Sequence, residues 1–156
     1  MSLLNYSTSI EEITEILVAH GASSILTDYD GSGNMVALSF KVLTPRGDVA
    51  FKLPADPRPV SQLINEQVEK RITSRSRVYG YRTTRRAVPA RFKNDMDQAR
   101  RVAWRILKDW VEAQMALVEV GMVQLHQVFL PYAIMKDGKT VFEMIEQKGL
   151  LLEHKP

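Results

Sequence analysis

The residues with the clearest chemical potential in this chain are basic, and they are concentrated in residues 70–105. This stretch holds twelve basic and two acidic side chains, a net charge of +10, whereas residues 1–69 carry −5 and residues 106–156 carry −2. Ten of the twelve are arginine, whose guanidinium group forms paired hydrogen bonds with phosphate and stacks on nucleobases. So large a local charge excess predicts contact with a polyanion.

Aromatic side chains are interleaved with these arginines, at Tyr79, Tyr81 and Phe92. Alternating rings and guanidinium groups hold single-stranded nucleic acid without reading its sequence, because rings stack on bases and cations meet phosphates. The predicted nucleic-acid-binding residues are Arg75, Arg77, Tyr79, Tyr81, Arg82, Arg85, Arg86, Arg91, Lys93, Arg100, Arg101 and Arg105. The last three lie on a predicted helix, where Arg101 and Arg105 are one turn apart. The simpler interpretation of the stretch is a solvated charged loop.

Two further motifs fit structural roles better than chemical ones. Residues 28–33 space their oxygens like a calcium loop, but Ser39 stands where a bidentate glutamate is required, so we expect a hairpin turn. Residues 138–140 resemble the end of a phosphate-binding loop, but Ala133 replaces its first glycine. Thr140 and Glu143 instead predict a helix capping box.

The remaining reactive side chains support no catalytic or metal site. The chain has no cysteine, which excludes thiolate chemistry and a disulfide framework. Its histidines, His20, His126 and His154, are too far apart in sequence to predict a metal site. Trp104 and Trp110 are expected to be core or interface anchors. We therefore predict a non-enzymatic protein without cofactor or metal.

Composition bounds the class of protein. A length of 156 residues with 45% hydrophobic side chains predicts one folded domain and excludes a disordered chain. No apolar run approaches the roughly 18 residues of a membrane span, and the N-terminus lacks the pattern of a signal peptide. We expect no membrane association and a cytoplasmic location.

The elements that position the basic stretch follow from hydrophobic periodicity and turn residues. Before the stretch, a capping box at residues 9–12 and Gly21 delimit a first helix. The predicted elements are helix 10–20, strands 24–29, 35–43 and 49–53, helix 60–72, a long helix at about 95–120, a helical stretch at 122–132 and a last helix ending at Gly149. Asn94 or Asp95 is expected to cap the long helix.

The long helix has two adjoining apolar stripes, which predict broad burial and a central position. The main stripe is predicted at Val102, Ile106, Trp110, Ala113, Leu117 and Val120. The second stripe is predicted at Ala103, Leu107, Val111 and Val118.

These elements predict an α+β fold with a small three-stranded antiparallel sheet, flanking helices, a long C-terminal helix and a helical tail. The predicted organisation is an α-βββ-α unit at 1–72, an arginine-rich linker at 73–94, and the long helix with its tail at 95–156. The order of elements over 10–72 is that of a double-stranded-RNA-binding domain. The lysine cluster that opens that family's second helix is absent, and PVSQL stands at 59–63, so the likeness is one of order only.

A second resemblance covers most of the chain. Its motifs are HGASS at 20–24, FKLPADP at 51–57, ARRVAWRILK at 99–108, VEAQMALVEVG at 111–121, FLPY at 129–132 and DGKTV at 137–141. The chain resembles a family of small uncharacterised proteins of bacteriophages and integrated elements. Met135 and Lys136 replace a Leu-Pro pair in the family's tail. The resemblance implies a phage or mobile-element origin, a host cytoplasm and service in phage DNA metabolism.

Charge layout and resemblance together predict a nucleic-acid-binding accessory protein for replication or recombination, with single strands favoured. The alternative is a phage-encoded interaction or anti-defence protein that binds a host protein or a small signalling molecule. The sequence leaves open whether the nucleic acid is DNA or RNA, whether the arginines converge, and whether the chain forms a homo-oligomer.

Overall fold

The computed structural model describes residues 6–74 and 89–149, and the predicted α+β class is confirmed. The elements in chain order are α1 (Ser7–Ala19), β1 (Ala22–Tyr29), β2 (Met35–Thr44), β3 (Gly47–Leu53), α2 (Arg58–Ser74), a 3-10 turn (Ala90–Phe92), α3 (Met96–Glu119), α4 (Leu125–Phe129), a second 3-10 turn (Leu130–Tyr132) and α5 (Val141–Lys148). The three strands form one antiparallel sheet in the order β1-β2-β3.

The sheet presents one apolar face to the helices. Phe40 of β2 lies between Ile25 of β1 and Phe51 of β3, and Leu38 pairs with Leu53 in the next row of that face. Phe40, Phe51, Leu38 and Leu53 are all buried, because alternate residues of a strand point to the same side.

Helix α3 packs against both α1 and α2. Trp104 of α3 is buried and stacks on Tyr6, with ring centroids 6.1 Å apart, and the backbone N–H of Met35 donates a 3.0 Å hydrogen bond to the Tyr6 hydroxyl. The tail returns to the sheet, where Ile134 donates its backbone N–H to the Ala50 carbonyl at 2.8 Å. Residues on both sides of the arginine-rich stretch therefore share one core.

Several local predictions are confirmed. Asp30 closes the β1–β2 hairpin by accepting backbone hydrogen bonds from Ser32 and Asn34, both at 2.9 Å. The capping box at the start of α5 is formed, since Thr140 accepts from the Glu143 backbone and the Glu143 side chain accepts from the Thr140 backbone. Asp95 caps α3 by accepting the Gln98 backbone N–H at 3.0 Å.

The predicted capping box at residues 9–12 is wrong. Helix α1 begins at Ser7, with Tyr6 as N-cap residue and no side-chain hydrogen bond at the cap. Ile10 instead donates its backbone N–H to the Tyr6 carbonyl at 3.2 Å. Because the buried ring of Tyr6 anchors the first turn against Trp104, tertiary packing starts the helix before Ser9 can cap it.

The predicted main stripe of α3 is also wrong. The buried residues of this helix are Ala99, Ala103, Trp104, Leu107, Val111 and Met115, which include three members of the predicted second stripe. Ile106, Leu117 and Val120 of the predicted main stripe are exposed, and Trp110 is half-buried. The helix is rotated so that Trp104 enters the core.

Described elements overlap both ends of the predicted linker at 73–94. Helix α2 continues to Ser74, and Ala90–Phe92 form a 3-10 turn. Of the predicted binding residues, Arg75, Arg77, Tyr79, Tyr81, Arg82, Arg85 and Arg86 lie outside the described residues.

Candidate nucleic-acid interface

Residues 93 and 94, which end the predicted linker and precede α3, contact side chains of α2. Asn94 donates its backbone N–H to the Asn65 side-chain oxygen at 2.8 Å, and the Asn65 amide donates to the Asn94 side-chain oxygen at 2.9 Å. Asn94 has φ of +59°, a left-handed conformation that asparagine tolerates better than most residues. Lys93 Nζ lies 3.3 Å from Glu69 Oε1 on the same helix.

This attachment constrains where the stretch can lie. The chain leaves α2 at Ser74, and residues 93 and 94 contact Asn65 and Glu69 of that same helix. Helix α3 then begins two residues later, at Met96, and carries the next arginines. The described residues on either side of 75–88 therefore belong to elements that contact each other.

The first turns of α3 combine acidic caps with arginines. Asp95 and Asp97 lie at the helix N-terminus, where carboxylates interact favourably with the helix dipole. Arg100 Nη1 donates to Asp97 Oδ1 at 3.0 Å, and Arg101 Nε donates to the Gln98 side-chain oxygen at 2.9 Å. These contacts orient the guanidinium groups of Arg100 and Arg101.

The described members of the predicted site do not all point the same way. Arg91 and Arg105 are exposed, and the Arg91 guanidinium lies 4.9 Å from the centroid of the Phe92 ring. Arg101 and Arg105, four residues apart, lie on one side of α3, as predicted for neighbours one turn apart. Arg100 is rotated away from them and lines a cavity.

The sequence did not predict this cavity. It has a volume of about 660 Å³, within the range of small-molecule sites, and lies between the sheet, the start of α2 and the start of α5. Its cationic residues are Lys52, Arg58 and Arg100, and Tyr132 and Phe142 supply aromatic surface. The sequence gives little indication that Arg58 lines a cavity, because Asp56-Pro57-Arg58 is typical of a helix start.

Two of the carboxyl groups at the cavity, those of Asp56 and Asp30, have a lowered pKa. Hydrogen bonds from the side chain and backbone of Arg58 lower the pKa of Asp56, and Asp56 in turn raises the pKa of Arg58. The backbone N–H groups of Asn34 and Ser32, with the charge of Arg100, lower the pKa of Asp30. A carboxyl group that acts as a general acid needs a raised pKa. Asp56 and Asp30 therefore suit electrostatic positioning better than proton transfer at neutral pH.

Among residues 6–74 and 89–149, no cluster of three or more histidine and acidic side chains could hold a metal ion. No helix in the same ranges is long and apolar enough to cross a membrane. Comparisons with protein-family models, with curated proteins and with solved structures found no match.

Proposed function

We propose that this chain is a non-enzymatic nucleic-acid-binding accessory protein of a phage or mobile element, active in replication or recombination in the host cytoplasm. The observation that carries the proposal is the attachment of residues 93 and 94 to α2, through Asn65 and Glu69. It fixes residues 93 and 94, the end of the predicted linker, beside the start of α3 and its arginines. In this proposal, the +10 charge of residues 70–105 forms one binding surface.

The chemistry favours single strands. Arg91 and Arg105 are exposed and available to phosphate, and the Arg91–Phe92 pair offers a cation next to an aromatic ring. Tyr79 and Tyr81 add further stacking groups within the same stretch. Rings and arginines in this order favour unpaired bases over duplex, whose bases are already stacked.

Fluorescence anisotropy with labelled single- and double-stranded DNA and RNA, at two salt concentrations, tests the proposal. We expect single strands to bind most tightly and binding to weaken steeply as salt rises, because each neutralised phosphate releases a counterion. Absence of binding to all four probes at low salt would refute the proposal.

The cavity favours a second candidate function, an interaction protein that takes up a small signalling molecule. Arg58 and Arg100 are partly engaged by carboxylates, and Lys52, Phe142 and Tyr132 line the same cavity, a combination suited to an aromatic anion. AMP is a suitable probe, because a ligand that binds only the folded state raises the melting temperature. This candidate would be favoured if AMP raises the melting temperature of the wild-type protein but not of Arg100→Gln, and if the wild-type protein does not bind nucleic acid.

A further inference from the structure

Helix α3 carries an apolar stripe that the rest of residues 6–74 and 89–149 leaves largely uncovered. The stripe consists of Ile106, Trp110, Ala113, Leu117 and Val120, which follow one another at intervals of four, three, four and three residues. Ile106 is 56% exposed, Leu117 36% and Val120 70%. Alternating intervals of three and four are the spacing by which one helix packs lengthwise on another.

The stripe cannot turn into the core of its own chain. The core already receives the neighbouring face of α3, including Trp104, Val111 and Met115, all almost fully buried. Trp110 is fixed at the boundary between the two faces by edge-on contacts with Phe129 and Tyr132, at centroid distances of 5.5 and 5.6 Å. A partner must therefore come from outside the described fold.

We infer that this stripe packs against the same stripe of a second copy of the chain, with the two α3 helices antiparallel. A second copy necessarily presents a helix with the matching spacing, and a two-fold axis makes one surface sufficient for both partners. The stripe thus fits a symmetric dimer without requiring any other protein.

Side-chain size favours the antiparallel register. In this register, Trp110 of each copy faces Ala113 of the other, and Ile106 faces Leu117. The bulky indole ring thus meets a small side chain, and two side chains of equal size meet in the other pair. A parallel pair would set Trp110 against Trp110 and Ala113 against Ala113, which overfills one layer and leaves the next one empty.

Charge along α3 favours the same orientation. The first half of the helix carries Arg100, Arg101 and Arg105 against one carboxylate, whereas the second half carries Asp109, Glu112 and Glu119 against one lysine. Antiparallel helices place each basic half beside an acidic half, and parallel helices would bring the two basic halves together. The helix is about 36 Å long, so the dimer would hold its two arginine-rich regions near opposite ends.

Sedimentation velocity of the full chain at increasing concentration tests the dimer. We expect reversible dimerisation that Leu117→Glu weakens at least about tenfold, since it brings a charge opposite Ile106 of the other copy. Leu43→Glu is the matched control, because Leu43 is equally apolar, is 65% exposed and lies on β2 away from α3. Circular dichroism confirms that each variant is folded. A wild-type monomer at concentrations up to about 0.1 mM, or equal weakening by the control, would overturn the inference.

Disulfide trapping tests the orientation, and the absence of cysteine from the chain makes single-cysteine variants unambiguous. In the antiparallel register, position 109 of one copy lies beside position 116 of the other. Oxidation of mixed Asp109→Cys and Ala116→Cys proteins should therefore yield a disulfide-linked heterodimer, with little linkage in either protein alone. Efficient self-linkage of Leu117→Cys, without linkage in the mixture, would show a parallel pair and overturn the proposed register. The dimer and nucleic-acid binding have separate readouts, so either can fail alone.

Discussion

His20 and Glu119 join the ends of two helices that are far apart in sequence. The His20 ring Nε2 lies 2.9 Å from Glu119 Oε1, and Nδ1 lies 2.7 Å from the Ile16 carbonyl oxygen. Lys108 Nζ lies 3.5 Å from Glu12 Oε2 nearer the start of the same helix pair. The two contacts show that α1 and α3 run side by side in the same direction.

We expect the His20–Glu119 pair to couple weakly but measurably. Glu119 is well exposed, so solvent screens the attraction, and a double-mutant cycle with His20→Ala and Glu119→Ala should give about 0.2–1 kcal/mol. Urea unfolding of the four proteins at one pH and one protein concentration measures this coupling. A coupling energy of zero would show that the two side chains do not hold the helices together.

The two tryptophans should differ sharply in their contribution to stability. Trp104 is 1% exposed in the centre of the core, so Trp104→Ala should cost about 3–5 kcal/mol of unfolding free energy. Trp110 is half-buried at the edge, and Trp110→Ala should cost clearly less. Chemical denaturation of both variants measures the difference. Equal losses would mean that Trp110 is also a core residue.

Helix caps give a second stability contrast. Thr140→Ala removes the side chain that accepts the Glu143 backbone N–H, and it should cost about 1 kcal/mol. Ser9→Ala should be neutral or slightly stabilising, because Ser9 lies inside α1, where alanine has the higher helix propensity. Thermal unfolding separates the two. A cost for Ser9→Ala that matches the cost of Thr140→Ala would restore Ser9 as a cap.

Asp56 should make stability depend on pH in a predictable direction. Its folded-state pKa lies below the ordinary value of 3.8, because Arg58 donates hydrogen bonds to the carboxylate. The carboxylate therefore stabilises the folded state at pH values above this ordinary pKa. The contribution is lost as the pH falls through the lowered folded-state pKa. The stability difference between wild type and Asp56→Asn should be constant near neutral pH and shrink below about pH 4. Urea titrations across this range test it, and a difference that grows on acidification would contradict the assigned contact.

Arginine and tyrosine variants should affect nucleic-acid binding in different ways, the first through its salt dependence and the second through its strength. With four to six phosphate contacts on a single strand, the slope of log K against log salt should be roughly −3 to −4. Arg82→Ala/Arg85→Ala/Arg86→Ala should flatten it by about 2 if all three arginines contact phosphate. Alanine at Tyr79 and Tyr81 should instead weaken binding by about 1–3 kcal/mol per stacked base with little change in slope.

A charge-matched control completes that experiment. Lys41→Ala/Arg46→Ala/Lys136→Ala also removes three positive charges, from exposed positions outside residues 70–105. The control should leave the slope nearly unchanged. If it flattens the slope as much as the arginine variant does, then overall charge rather than a localised site drives binding.

The sequence by itself determined the features that depend on neighbours along the chain. The β1–β2 turn at Asp30, the capping box of Thr140 and Glu143, and the Asp95 cap of α3 each satisfy backbone groups within four residues. Turn residues at 30–34 and 45–48 likewise delimited the three strands. Such interactions depend mainly on nearby residues, so local patterns predict them where packing does not interfere. At Ser9 packing does interfere, because the contact of Tyr6 with Trp104 starts α1 earlier.

Only the tertiary structure decided which of several equivalent surfaces is buried. Two apolar stripes on α3 compete for one core, and the choice depends on how Trp104 fits between Tyr6 and the surrounding core. The same rotation directs Arg100 towards the cavity. Helix periodicity places residues relative to one another around the axis, but packing against distant elements sets the rotation of the whole helix.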